Sequence, residues 1–489
     1  MLFNSFEFML LFLPITLVVY FLLLRKHLTI AARSWLLFAS LFFYSWWDIK
    51  YLPLILGSIL FNYTIGGLLA EYDASAKKPV SKKSIFLAGI IANIALLCWF
   101  KYMDFFIGTT NGLLGTQLPL LKIVLPLGIS FFTITQIAFL VDAYEGLVEE
   151  RNLLNYALFV TFFPHLLAGP ILHHSEMMPQ FERLRNKVLN WKNLYLGLTL
   201  FFLGLFKKVI LADTFSAWAS AGFDTTQPLT LIPAWLTSLS YTFQLYFDFS
   251  GYSDMALGVG WMFNISLPIN FNSPYKATGM IDFWKRWHIT LTNFVTTYLY
   301  TPILRAFGSI TFTNSLVAIF LAMLISGFWH GAGWNFIVWG GMHGAGLVVN
   351  HYWKKKKHKM PAWLGWLITF NFVNISFVFF RARSLEGAGQ ILGGMAGMNG
   401  IMLHRSLGKF TWLQDMGITF GKWLDAIKGN DETWVMAIVA LIIVAFLKNS
   451  MEIISRVRPS WGWLVLLLVV SFWSLLDMSK VSEFLYFQF

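Results

Sequence analysis

Two short stretches of this chain hold the polar groups that could do chemistry. In the first, Gly327-Phe-Trp-His330-Gly-Ala-Gly-Trp334-Asn335, His330 follows an almost uncharged run from Leu316 to Trp329 and is flanked by Gly331 and Gly333. A neutral imidazole can be buried and still take up a proton near neutral pH, so it suits a general base inside an apolar protein. The small neighbours let a substrate chain or a second backbone approach it. In the second stretch, Asp282-Phe-Trp-Lys285-Arg286-Trp287-His288, a histidine follows two cations that could meet phosphates from the cytosolic side. On residue types alone, both histidines have an equally good structural reading. His330 would be a packing histidine bonded to a neighbouring carbonyl, and His288 an interfacial one in an aromatic belt.

Other candidates are weaker. On one unbroken helix, His343 would sit about 220° around from His330, so the two cannot pair on one face. There is no pair of histidines four residues apart and the lone cysteine is Cys98, so no metal site is expected. Asp248 and Asp254 read as caps and hydrogen-bond anchors around Ser250 and Ser253. Gly251-Tyr-Ser253-Asp-Met255 begins like a nucleophile elbow but has Met where the last Gly belongs. His165 is read as structural. P-loop, zinc-protease, dinucleotide and CxxC motifs are all missing.

The elements that must position these groups are membrane helices. Of the 489 residues 57% are hydrophobic and only 12% charged, about half the usual charge of a soluble protein. Ionised groups at the bilayer centre cost about 2.5–3.5 kcal/mol on insertion scales, so polar residues kept at depth are functional candidates. The excess of basic residues, 36 Lys and Arg against 24 Asp and Glu, clusters between apolar runs at Arg25–Arg33, Lys77–Lys83, Arg183–Lys187 and Lys354–Lys357. That is the pattern of cytoplasmic loops, with no nucleic-acid motif beside it, and no nucleic-acid partner is expected. The first run, Phe6 to Leu24, reads as a retained anchor with its N-terminus outside.

Further runs include Trp35 to Trp47, Leu52 to Ala70, Ile85 to Ile107, Leu118 to Val141, Leu153 to Leu172, Leu231 to Phe249 and Met255 to Leu267. About 20 residues cross a bilayer, which gives an all-α polytopic protein of about eleven crossings. Pro126-Leu-Gly128 and Ala168-Gly-Pro170 suggest re-entrant or broken helices, tolerated only inside protein or against a wet cavity. Residues 1–489 are expected to form one integral-membrane domain, with 387–431 an extramembrane loop or amphipathic segment.

Leu125-Pro-Leu-Gly-Ile-Ser-Phe131, Phe163-Pro-His-Leu-Leu-Ala-Gly-Pro170, Gln244 to Gly258, Phe283 to Leu291, Gly327-Phe-Trp-His-Gly331 and the ending Phe484 to Phe489 occur in an order that resembles the membrane-bound O-acyltransferase (MBOAT) family. Within it they are similar to the bacterial branch typified by the alginate O-acetylation protein AlgI and by teichoic-acid D-alanyl transferase. The resemblance implies helices around a central catalytic tunnel and transfer of an acyl group, acetyl foremost, from a cytosolic thioester such as acetyl-CoA toward an extracytoplasmic polysaccharide. It makes His330 the catalytic histidine and His288 a second catalytic position, with Asn335 as orienting or oxyanion group and Lys285, Arg286 and Trp287 as donor-binding residues.

No bound cofactor is implied. The expected partners are membrane lipid, the cytosolic acyl donor and a separate periplasmic acetyltransferase or esterase-like protein, for which Phe484 to Phe489 is a candidate docking element. The chain departs from many relatives after Leu291, where Asn293 to Tyr298 and Leu304 to Gly308 replace an Arg-Asp-Tyr segment and a Gly-Gly-Asn stretch. This leaves the acceptor open. Peptidoglycan or teichoic-acid acylation is the alternative, and a transporter or flippase without acyl transfer is the rival from another class. The location expected is the bacterial inner membrane.

Overall fold

The computed structural model describes residues 1–72, 80–148, 152–458, 460–478 and Leu485. Lys77 and Lys78 of the second basic cluster lie outside these residues, as do Phe484 and 486–489 of the ending. Helices make up nearly all of the regular structure; the one exception among the described residues is a parallel pair of three-residue strands, Met402–His404 and Thr419–Gly421. Among the described residues, six helices are long and apolar enough to cross a membrane: Glu7–Arg25, Ile49–Ala70, Lys82–Leu114, Trp191–Phe223, Phe312–His330 and Ala362–Arg381. The expected eleven or so is reached only with helices that fall short of that length or apolarity, among them Thr29–Ser45, Ile129–Glu145, Leu231–Met262, Trp334–Lys355 and Trp461–Asp477.

Several runs divide differently from the hydropathy pattern. The runs 231–249 and 255–267 are joined through Gln244–Asp254 into a single helix, Leu231–Met262, most of it buried. Helix continuity is sustained there because the two intervening carboxylates, Asp248 and Asp254, find lysine partners inside the bundle. Leu118 to Val141 goes the other way: helix begins only at Ile129, after Gly128 at φ +71°. The 153–172 run breaks into Leu153–Thr161 and a single turn, Phe163–Leu166, followed by buried irregular backbone. There the Ile171 amide donates to Thr290 Oγ1 at 3.0 Å, the kind of satisfaction that non-helical backbone needs away from water. The 387–431 stretch is less irregular than expected. It carries most of the helix Leu385–Met395, whose Met395 carbonyl accepts from Trp235 Nε1 at 2.9 Å.

Two helix pairs form the centre, and both are close enough for backbone to meet backbone. In the first, Trp191–Phe206 lies along Leu231–Met262, and a Cβ on Gly251 would stand 2.7 Å from the Gly204 carbonyl oxygen. Gly251 thus belongs to helix packing and not to a nucleophile turn. Just beyond, the wide turn Lys207–Ala212 sends two lysines across. Lys207 pairs with Asp254 and Lys208 with Asp248, each at 2.7 Å, and Lys208 also reaches Asp213 at 2.9 Å. Asp248 and Asp254 are therefore partners of buried cations, not caps around Ser250 and Ser253.

The Leu485 amide donates to Asp248 Oδ2 at 3.0 Å and Leu485 is buried. At this residue the chain ending is packed into the bundle, which speaks against its being a free docking element.

The second pair is the hairpin of Phe312–His330 and Trp334–Lys355. A Cβ on Gly340 would lie 2.6 Å from the Met323 carbonyl oxygen, and one on Gly327 would lie 2.7 Å from Gly340 Cα. Since neither backbone can move without the other, Gly340→Ala should lower the thermal midpoint of the detergent-solubilised protein by an amount equivalent to about 1–3 kcal/mol. Gly341→Ala, whose Cβ meets only Leu324 Cδ1 at 3.7 Å, should be neutral or slightly stabilising in the same melt. Equal behaviour of the two variants would show that the hairpin is not packed backbone to backbone.

Candidate active site

His330 is the last residue of its helix. Gly331 continues in extended conformation and the next helix starts at Trp334, so the hairpin turns within three residues. Gly331 faces the Phe336 ring, so at this position the small residue beside His330 admits a second part of the protein. Rings of Trp329, Trp339 and Phe380 surround the imidazole at centroid distances of 4.9, 5.1 and 5.3 Å.

A helix end leaves carbonyls without partners, and in an apolar setting each needs a donor. Here the donors come from the turn Cys98–Tyr102. The ammonium of Lys101 donates to the carbonyls of Trp329 at 2.8 Å and His330 at 3.0 Å and to Ser130 Oγ at 3.3 Å. Tyr102 Oη donates to the Phe328 carbonyl at 2.9 Å, with that of Trp329 at 3.2 Å. A cation at the negative end of a helix is favoured by the aligned peptide dipoles as well. No motif points to Lys101; the only signal in the sequence is a single cation inside the apolar run Ile85 to Ile107.

His288 reaches the same neighbourhood by another route. It precedes the helix Ile289–Val295 at φ +43°, a conformation that costs a non-glycine residue on the order of 1 kcal/mol or more. Asn270 holds it there. The Asn270 Oδ1 atom accepts from the Thr290 amide at 3.3 Å and from Thr290 Oγ1, and lies 3.0 Å from His288 Nδ1. Because a backbone amide can only donate, this atom is the amide oxygen, and Nδ1 of His288 must carry the proton. His288, His343 and Lys101 all lie within electrostatic reach of His330. His343 is fixed separately, with Nε2 at 2.8 Å from Ser376 Oγ.

The remaining sequence candidates are spread out. Asn335 is buried and its amide donates to the Ala382 carbonyl, tying the turn to the end of Ala362–Arg381. Trp287 is buried, stacked on Phe283 at 5.6 Å and edged by Phe271 and Phe377, in the position of a core residue. Arg286 is engaged by Asp282 at 2.8 Å, four residues earlier. Lys285 is exposed, at the rim of a cavity of about 320 Å³.

This cavity runs along Ile319, Ala322, Met323 and Ser326, the helix face that ends at His330 one turn later. Its opposite wall includes Leu347 and His351, toward the basic run Lys354–Lys357. A second, much smaller cavity of about 40 Å³ meets His330 directly, lined by Lys101, Gly128, Ser130, Phe131 and Leu167. A small cavity thus meets His330 and a larger one follows the helix face that leads to it, where the resemblance implied one tunnel.

The profile of MBOAT, the membrane-bound O-acyltransferase family, matches residues 41–386. The chain belongs to the membrane-bound O-acyltransferase family. It is 44% identical to the peptidoglycan O-acetyltransferase of Helicobacter pylori, over all of this chain and 98% of that one. It is 38% identical to the probable alginate O-acetylase AlgI of Pseudomonas aeruginosa, over 79% of this chain and 73% of the relative. To the teichoic acid D-alanyltransferase of Streptococcus thermophilus it is 31% identical over 52% of this chain and 68% of that protein. Membership of the broader family is established, whereas the narrower alginate-type placement is not, since a peptidoglycan enzyme matches more closely and over more of the chain. The protein is an O-acyltransferase with the multi-pass helical architecture of an inner-membrane enzyme, which sets the transporter reading aside. Enzymes of this family use acyl-CoA-like donors.

Lys101 touches the backbone of His330, a contact that can position it. Lys101→Met keeps the length of the side chain and removes the donors, so acyl transfer should fall by about 10-fold or more while the protein still enters the membrane and purifies. Unchanged turnover of a labelled acyl thioester would mean that the helix end needs no such cap.

Proposed function

We propose that this enzyme O-acetylates peptidoglycan, taking acetyl from a cytosolic thioester such as acetyl-CoA. The observation that carries the choice of acceptor is the full-length similarity to a peptidoglycan O-acetyltransferase, against partial coverage by the alginate and teichoic-acid relatives. In this reading the cavity rimmed by Lys285 admits the donor, with the lysine near the phosphates of the carrier. The smaller cavity beside Lys101 admits the acceptor hydroxyl.

His330 acts as general base. Its imidazole takes the hydroxyl proton as the oxygen attacks the thioester carbonyl; the acyl–sulfur bond breaks, the acyl–oxygen bond forms, and the proton passes to the departing thiolate. His288, held by Asn270 with Nδ1 protonated, directs a lone pair from Nε2 and orients the reacting groups. Asn335 supports the turn that carries His330. Peptidoglycan lies outside the membrane, so the hydroxyl acylated at His330 belongs to a separate periplasmic acetyltransferase or esterase-like protein, which then passes the acyl group to the sugar.

The test is chemical. Base-labile acetate released from purified sacculi should disappear when the gene is deleted and return with the wild-type gene. It should stay about 10²-fold down or more with His330→Ala at equal membrane abundance. Acetate lost from a secreted polysaccharide instead, with sacculi unchanged, would move the acceptor to the alginate-like class. Full complementation by His330→Ala would end the assignment of the base.

A further inference from the structure

Away from His330, at the far end of the helix Ile129–Glu145, Asp142 meets two adjacent histidines. Asp142 Oδ2 lies 3.2 Å from His173 Nε2 and 3.0 Å from His174 Nδ1, and the three ligand atoms all fall within 4.8 Å of one another. Tyr298, on the turn Thr296–Tyr300, completes the group. Its hydroxyl is 3.0 Å from both carboxylate oxygens and 2.5 Å from His173 Nε2. Asp142 and His174 are buried, with side chains 3% and 5% exposed, while His173 is 34% exposed and gives the cluster an opening to solvent.

A hydrogen-bonded cluster does not account for His174. Although its Nδ1 is 3.0 Å from the carboxylate, the two are out of line, and neither ring nitrogen has a hydrogen-bond partner among the described residues. Two polar atoms close together yet not bonded to each other are placed as ligands of one ion would be. Donors around a tetrahedral zinc at about 2.0–2.1 Å are about 3.3 Å apart, near the two measured separations. The other nitrogen of His173, Nδ1, is 2.9 Å from Ser175 Oγ, which can fix its proton there and leave Nε2 free to ligate.

We propose that Asp142, His173 and His174 form a binding site for a divalent transition-metal ion, with two imidazoles, one carboxylate and a fourth corner at or near the Tyr298 hydroxyl. The ligand set suits zinc over calcium or magnesium. The ion ties three otherwise separate elements together: the end of Ile129–Glu145, the segment 171–177 and the turn Thr296–Tyr300. Asp142 is twelve residues, about 18 Å of helix, from Ser130 beside His330, so the role is structural. The sequence argues against a metal because it offers no pair of histidines four residues apart and no cysteine ligand; the fold brings Asp142 to His173 and His174 from 31 and 32 positions away.

The full-length protein, purified without a polyhistidine tag, is dialysed against zinc chloride, desalted and analysed for metal. One zinc per chain is expected, together with the visible d–d absorption of a tetrahedral ion when cobalt replaces zinc. His173→Gln, at the exposed ligand, should weaken binding by more than about 10²-fold without preventing folding, and His174→Ala should do the same. Wild-type protein that retains no zinc and shows no cobalt bands overturns the proposal and leaves a buried Tyr-His-Asp cluster. Retention of stoichiometric metal by both variants overturns it as well, since the metal would then sit elsewhere.

Discussion

Two N–H groups of one half-buried lysine hold the end of the helix that carries His330, and the third reaches Ser130. Away from water, a helix that stops must hand its last carbonyls to some donor, and Lys101 with Tyr102 supplies them from another segment of the chain. The arrangement is reciprocal, because a lysine inside an apolar span needs acceptors as much as the helix end needs donors. With the cap in place, the hairpin can turn at Gly331–Gly333, the imidazole can sit among three aromatic rings, and a small cavity can meet it while a larger one follows the helix face that leads to it.

The rest of the bundle makes that placement rigid. Glycine-lined contacts let paired helices approach until only backbone separates them, which leaves little room for rotation or sliding. Buried Lys–Asp pairs then lock the first pair further along. Such pairs add little net stability, but removal of either partner would strand a charge in a low-dielectric interior, so they fix register more than they strengthen the fold. Close packing of this kind suits an enzyme whose reacting groups must meet within tenths of an ångström.

The candidate site stands out in the sequence more plainly than the elements that position it. His330 stands out because it follows a long apolar run and is flanked by glycines, and His288 because it follows charge in an aromatic stretch; both lie within electrostatic reach of each other. Hydropathy found the apolar helices but divided Leu231–Met262 in two, because a window average cannot know that Asp248 and Asp254 face lysines 40 and 47 positions away. It extended the helix before Ile129 through residues that adopt no regular structure. Lys101 and the cluster at Asp142 leave little trace in the sequence for the same reason: each is defined by partners distant in sequence, and no spacing rule records them.

The central claim is that Lys101 acts on catalysis through His330, not on its own. A double-mutant cycle on turnover of a labelled acyl thioester tests it, comparing Lys101→Met, His330→Ala and the double variant with wild type. If the cap serves only to position the imidazole, Lys101→Met should cost nothing more once His330 is gone, and the double variant should match His330→Ala. Losses that multiply independently would contradict the account, and would mean that Lys101 contributes to the reaction by a route that does not pass through His330.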